Sequence, residues 1–343
     1  MKKIISIALA LLMVAVMLPV MAMAAEVEVS DETSLKNAVA TNGNNIKLTQ
    51  NITLTGTLTI DSGVTIVLDL AGNKISAAMN GPHMISSAGN LTIIDSVGTG
   101  SIAKEGDSSH LGYVLENHGT MALNGIKVTS ASSKASAIEN GWYTASDNKT
   151  GKNCDMTITN SDISQANGSG GLYTIKNDDY GVMVINGGNF TNSTAGAGTV
   201  LNWNNLTING GKFTGASAVR TLKQGELGYE KGNTLINGGT FNGKIDTLPN
   251  YSGMQISITG GTFTDKESGA EKYLANGKEL DSNGNVVNKS ITIIVPSDGG
   301  NTTTTPSTDN TKNPGTGAND FVGVAAAMAV VSLLGAAAVI RKK

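Results

Sequence analysis

The sequence predicts an all-β chain wound as a single-stranded, right-handed parallel β-helix, with a short cap helix at its N-terminal end. Two observations predict it. The first is a recurring unit. Leu206-Thr-Ile-Asn-Gly-Gly-Lys-Phe213 lies over Met183-Val-Ile-Asn-Gly-Gly-Asn-Phe190, Thr234-Leu-Ile-Asn-Gly-Gly-Thr-Phe241 and Ile256-Ser-Ile-Thr-Gly-Gly-Thr-Phe263. Four of the five Phe in the chain close this unit, which random placement would not produce. Degenerate copies run from Leu68 to Ile75, Met121 to Val128 and Met156 to Ile163, and Leu91-Thr-Ile-Ile94 starts another. The second observation is spacing. The residue after each short strand falls at 71, 94, 124, 159, 186, 209, 237 and 259, so no step is shorter than 22 residues. A constant minimum with variable insertions is what a three-sided coil requires, because its turns absorb the extra length. A β-sandwich is the alternative, and it gives no reason for the recurring Asn-Gly-Gly-x-Phe.

Each element has a local reason. In Leu206-Thr207-Ile208 the apolar side chains alternate inward, as a half-buried strand demands. The bend that follows uses Asn and Gly, the residues that tolerate left-handed backbone. The second Gly leaves room for the next coil, and the closing Phe, Ile or Val turns inward onto its counterpart. Asn124, Asn186, Asn209 and Asn237 are expected to form a ladder inside the bend, satisfying backbone groups there, with Thr159 and Thr259 interrupting it. A stack of coils has two open ends that need covering. Asp31-Glu32-Thr33-Ser34 offers capping chemistry for a helix over 35–40. Strands Ile46–Leu48, Ile52–Leu54 and Leu58–Ile60 follow. At the far end, 271–288 and a strand over 290–295 are expected to close the stack.

Both termini read as processing signals. Lys2 and Lys3, the apolar run from Ile4 to Val20 and Ala22-Met23-Ala24 predict a signal peptide over 1–24, the alternative being an uncleaved anchor. The β-helix domain is then 25–295. Residues 296–312, rich in Thr, Asn, Gly, Asp and Pro, predict a disordered stalk. Asn313-Pro314-Gly315-Thr316-Gly317, an uncharged span over 321–340 and Arg341-Lys342-Lys343 complete the chain. In that order, pentapeptide, span and basic tail resemble a sortase sorting signal. The resemblance implies cleavage between Thr316 and Gly317 and transfer of the Thr316 carbonyl to peptidoglycan, with the membrane touched only through 321–340 beforehand. Asn313 stands where that signal usually has Leu. The alternative is a permanent single-span anchor; either way the location is extracellular, at the wall or the membrane. Ala25 to Thr316 holds 19 basic and 26 acidic side chains, a net charge of −7, which argues against nucleic acid as a partner. The single Cys154 excludes an internal disulfide.

With these residues quoted, residues 31–295 resemble the pectate-lyase-like right-handed β-helix superfamily, and more narrowly its wall-anchored Gram-positive members. The resemblance is specific for fold and not for function. It implies two chemistries to look for. Lyases of this type use an Arg or Lys base, with Ca²⁺ held by acidic residues; here the base would be Arg220, which otherwise reads as a solvated surface charge. Galacturonases use carboxylates on neighbouring coils beside His-Gly and Arg-x-Lys; here Asp178-Asp179 and His118-Gly119 occur in the reverse order without Arg-x-Lys, and Asp178-Asp179 also reads as turn chemistry. His83, His110 and His118 lack metal-ligand spacing, so no metal is expected unless the protein is a lyase using Ca²⁺. Cys154 reads as a rung residue or an inert surface thiol.

The aromatic residues are the better binding candidates. Trp142-Tyr143 sits in the longest insertion, over 139–155, which is expected to project from the helix side. Trp203 is expected on a nearby coil face. Exposed aromatic faces stack on sugar rings and anchor interfaces. The ligand-binding candidates are therefore Trp142, Tyr143, Asp178, Asp179 and Trp203. The expected function is a displayed, non-catalytic adhesin or glycan-binding module, its partner a carbohydrate or a host or bacterial surface ligand. The alternatives are an anchored polysaccharide lyase or glycoside hydrolase, marked by carboxylates clustered with Arg220 or a Lys, and a structural spacer.

Overall fold

A computed structural model describes residues 26–77, 83–105, 112–142, 147, 151–166, 172–222, 232–247 and 255–290. The signal peptide, Tyr143, the stalk, the sorting signal 313–317 and the span 321–340 lie outside them, as do residues 291–295 of the last expected strand. The chain divides into two compact units, 1–288 and 289–343, and the β-helix lies within the first.

The coils stack as three parallel sheets. The first runs through Glu26–Val29, Asn45–Leu48, Thr65–Asp69, Asn90–Ile94, Thr120–Asn124 and Cys154–Thr159, each paired with the next in parallel. It continues into the beginnings of Gly181–Asn192 and Asn205–Thr221, then Asn233–Ile236 and Gln255–Ile258. The second sheet includes Lys74–Ala77, Ser101–Lys104, Lys127–Ser130 and Ser161–Gln165. The third includes Ile85–Ser87, Leu115–Asn117, Ile138–Asn140, Tyr173–Asn177 and Gly198–Asn202. Consecutive coils pair residue by residue, so like side chains meet one rung apart, at about 4.8 Å.

That register explains the core. Phe190, Phe213, Phe241 and Phe263 are buried and stack in one column, with ring centroids 4.8, 4.9 and 4.9 Å apart. Each ring removes enough apolar surface to contribute about 2–3 kcal/mol, and the offset stacking adds about 0.5–1.5 kcal/mol per pair. Ile185, Ile208, Ile236 and Ile258 form a parallel column.

The bend differs from the expectation in two ways. Its left-handed residue is the second glycine, at φ 116° for Gly188, 111° for Gly211 and 108° for Gly239; Asn186, Asn209 and Asn237 are not at positive φ. A Cβ on Gly188 would lie 2.0 Å from the Ser161 carbonyl oxygen of the neighbouring coil, so that position needs Gly twice over. The Asn ladder forms through Asn186, Asn209 and Asn237, but on the surface, and Thr259 extends it instead of interrupting it. Asn209 Nδ2 donates to Asn186 Oδ1 at 2.8 Å, Asn237 Nδ2 to Asn209 Oδ1 at 2.9 Å, and Thr259 Oγ1 to Asn237 Oδ1 at 2.9 Å. The ladder that serves buried backbone is a different one, at the end of the third sheet. Asn117 Nδ2 donates to Asn140 Oδ1, Asn140 to Asn177 and Asn177 to Asn202, at 2.7–2.8 Å, and Asn202 Nδ2 donates to Thr234 Oγ1 at 2.9 Å. The same amides also reach the carbonyls of Asp155, Cys154, Asn205 and Asn233.

Both ends are covered. The cap helix spans Glu32–Val39, three residues earlier than expected, because Asp31 is its N-cap. Ser34 N–H donates to Asp31 Oδ1 at 2.9 Å and Asp31 N–H to Ser34 Oγ at 3.3 Å, a reciprocal cap. Leu35, Ala38 and Val39 are its buried face. At the other end a 3-10 turn over Ala270–Tyr273 and an antiparallel hairpin of Lys278–Leu280 with Val286–Asn288 close the stack. Among the described residues no helix is long and apolar enough to cross a membrane.

Candidate functional site

The third sheet has a readable outward column. Residue-by-residue pairing aligns Ser86, Glu116, Glu139, Lys176, Leu201, Arg220 and Asp246 on successive rungs. Just past these strands the chain turns a corner, and the same register brings His118, Trp142, Asp178, Asp179 and Trp203 to it. Trp142 N–H donates to the Asp179 carbonyl at 2.9 Å, and Trp203 N–H to that of Asn177 at 2.8 Å. Four of the five ligand-binding candidates therefore meet at one corner, beside the charged residues Glu116, Glu139 and Lys176.

The charges divide into three groups. In the first, Lys176 Nζ lies 2.5 Å from Asp178 Oδ2 and 3.7 Å from Glu139 Oε1, and 5.9 Å from the centre of the Tyr113 ring. Both carboxylate side chains are only 3% exposed. Burial, then the hydrogen bond and charge of Asp178, push Glu139 up to about 9, against the opposing effects of Lys176 and the Tyr113 hydroxyl. Glu139 therefore holds its proton at neutral pH. Burial, followed by the charges of Glu139 and Asp178, drives the Tyr113 hydroxyl far above its ordinary value.

The second group centres on Glu116, 11% exposed. Ser86 Oγ donates to its Oε2 at 2.6 Å. Its Oε1 lies 3.2 Å from His83 Nε2 and 3.8 Å from His118 Nε2. His83 Nδ1 accepts the Tyr113 N–H at 3.4 Å, so the neutral ring carries its proton on Nε2, facing Glu116. Burial lowers the pKa of both imidazoles; Glu116 opposes this in each, while Lys104 adds to it at His83. His118 stacks on Trp142 with centroids 3.8 Å apart and planes 6° apart.

In the third group Arg220 makes a bidentate pair with Asp246, at 2.8 and 2.7 Å, and lies over the Tyr173 ring. The hydrogen bonds to Asp246 hold the guanidinium pKa above its ordinary value. Arg220 is thus a paired strand residue and not the solvated charge expected, because the register places Asp246 directly beside it.

Other sequence candidates also take definite places. Asp178-Asp179 does form a turn, with Gly181 N–H donating to the Asp178 carbonyl at 2.9 Å and Tyr180 left-handed at φ 61°. Both aspartates are nevertheless buried and belong to the charged corner. Trp142 does not project: it is half-buried against His118, because Ile138–Asn140 is a core strand that ends immediately before it. Trp203 is half-buried as well, and its indole N–H is buried with no hydrogen-bond partner among the described residues. Burial pushes the Cys154 thiol up to about 12, consistent with an inert side chain. Among the described residues no group of three or more His, Cys, Asp or Glu is arranged to hold a metal ion.

A sequence signal for the missed residues does exist. Leu115-Glu-Asn117, Ile138-Glu-Asn140, Ile175-Lys-Asn177 and Val200-Leu-Asn202 share an aliphatic-x-Asn pattern whose middle residue lies on the outward column. This is a second repeat, shorter and weaker than the Phe unit. Fold and corner together define the class, an all-β parallel β-helix carrying a charged cluster at one corner. No family model, curated protein or solved structure matches the chain.

Proposed function

We propose that the protein is a surface-displayed glycan-binding module whose site is the Glu116 corner. The observation that carries this reading is the setting of Glu116. Its carboxylate is oriented by Ser86 between two imidazoles, and His83 and His118 are 29% and 19% exposed. A carboxylate and imidazoles held in fixed positions next to an aromatic ring make a suitable set of partners for sugar hydroxyls. Display at the wall through Thr316 belongs to the same reading and rests on the terminal motifs alone. The test is glycan-array binding of the purified protein, followed by titration of the hits. Glu116→Gln and His118→Ala are each expected to weaken binding by about 1–3 kcal/mol. Hits that bind both variants as well as wild type would exclude this corner.

A second reading, glycoside hydrolysis, is favoured by one observation: the carboxyl group of Glu139, 3% exposed and with its pKa raised by burial, lies one rung from that of Glu116. In that reaction Glu139 would protonate the glycosidic oxygen as the C–O bond breaks. Glu116, one rung away, would add to the anomeric carbon, and a water deprotonated by the now anionic Glu139 would then displace it as the ester C–O bond breaks. Carboxylates clustered with a lysine are what an enzyme needs. Here, however, Lys176 and Asp178 pair with each other, Glu139 is buried beside them, and the three side chains are 3–13% exposed, so binding comes first. Incubation with a polysaccharide panel and mass spectrometry of the products decides: cleavage abolished by Glu139→Gln would replace the binding reading with the hydrolase.

A further inference from the structure

We infer that the ligand of the Glu116 corner is an uncharged glycan, not a polymer of uronic acids. This rests on the binding reading above and adds the chemical class to it. A sugar carboxylate entering a half-buried site loses water and needs a cation or several donors in return. Among the described residues, the cations Lys104, Lys176 and Arg220 of this face are already committed. Lys104 Nζ donates to the Gly112 carbonyl at 2.7 Å and is 1% exposed. Lys176 is bound to Asp178, and Arg220 is held by both oxygens of Asp246. Lys104 and Lys176 stand against the carboxyl groups of Glu116, Glu139, Asp178 and Asp179, so among the described residues of this corner the acidic groups outnumber the lysines.

A uronate would therefore meet like charge, and binding it would require breaking an existing ion pair. Sugar hydroxyls need neither. Glu116 still has acceptor capacity after Ser86 and His83 are counted, and a hydroxyl can both donate to a carboxylate and accept from an imidazole N–H. A cationic amino sugar fits less well, because the carboxylates next to Glu116 are buried against Lys176, whose charge opposes a second cation.

The test is calorimetric titration of the purified protein and of Glu116→Gln with three sets of oligosaccharides at low and high salt. The sets are neutral (β-1,4-glucan, xylan, mannan and N-acetylated chitin fragments), anionic (oligogalacturonate and alginate) and cationic (chitosan). The expected result is binding of at least one neutral series, little changed by salt and weakened about tenfold or more by Glu116→Gln. Anionic oligosaccharides should bind about 100-fold more weakly. His118→Ala serves as the variant if Glu116→Gln does not fold. Uronate or chitosan binding of equal or greater strength that depends on Glu116 would overturn the uncharged class and leave the site standing. Binding of no series, or binding indifferent to both variants, would overturn the class and the binding reading together.

Discussion

At the scale of single residues, two kinds of buried polar group dominate this protein, and they respond differently to change. Asn140 is satisfied on every side, donating to Asn177, Cys154 and Val182 while accepting from Asn117. Asn140→Ala orphans the buried partners on both neighbouring rungs, and denaturant unfolding should show a loss of about 2–5 kcal/mol. Glu139 is held by its proton. Its folded-state pKa is about 9 against an ordinary value of 4.5, so its contribution to stability is full below pH 4.5 and is lost as pH rises through 9. His83 and His118 have the opposite sign: their lowered values mean that stability is lost as pH falls below about 6.5. Glu139→Gln imitates the protonated acid and should flatten the alkaline side of the profile. Between pH 6 and 9 the melting temperature of wild type should fall by about 5 °C or more relative to the variant. Parallel curves would show that Glu139 does not titrate in this window.

At the scale of elements, stability comes from columns that run across coils. Phe213 stacks on Phe190 and Phe241, so Phe213→Ala opens a cavity in the middle of a column and should cost about 3–5 kcal/mol. The cap helix is only eight residues long and too short to persist by itself. Its reciprocal Asp31–Ser34 cap and three buried side chains hold it. Asp31→Ala should cost about 1 kcal/mol, read as a small fall in melting temperature with no loss of the strand signal by circular dichroism. Glu32 ties the helix to the first coil by accepting from Thr55 N–H and Oγ1 at 3.0 and 2.8 Å.

At the scale of the whole molecule, each coil touches only its neighbours, so the ends decide whether the stack remains solitary. The C-terminal hairpin occupies the last open edge: Phe263 N–H donates to the Gly284 carbonyl and Val286 N–H to that of Gly261, at 2.8 and 2.9 Å. Ile258 bridges to Leu274 in the same way. Removing residues 269–288 leaves those backbone groups and the Phe263 ring uncovered. The shortened protein should elute from size-exclusion chromatography as oligomers or aggregate, where the full chain does not. Unchanged elution would mean that the last coil is not edge-active.

The sequence by itself determined the coil, its inward columns, the glycine bends and the caps, because each depends on near neighbours: alternation within a strand, Gly where the backbone crowds, Asp and Ser at a helix start. It also singled out Trp142, Asp178, Asp179 and Trp203, which the fold gathers at one corner because each follows a strand of the third sheet. Tertiary structure alone decided what those residues face. Glu116, Glu139 and Lys176 are 23 and 37 residues apart along the chain, yet lie on adjacent rungs. Turns of different length separate them, and only the completed register shows that the lengths cancel. The same holds for Arg220 with Asp246 and for the buried Asn ladder: the pairing is a property of stacked coils, and a charge that looks solvated along the chain becomes a partner once the next coil is laid down.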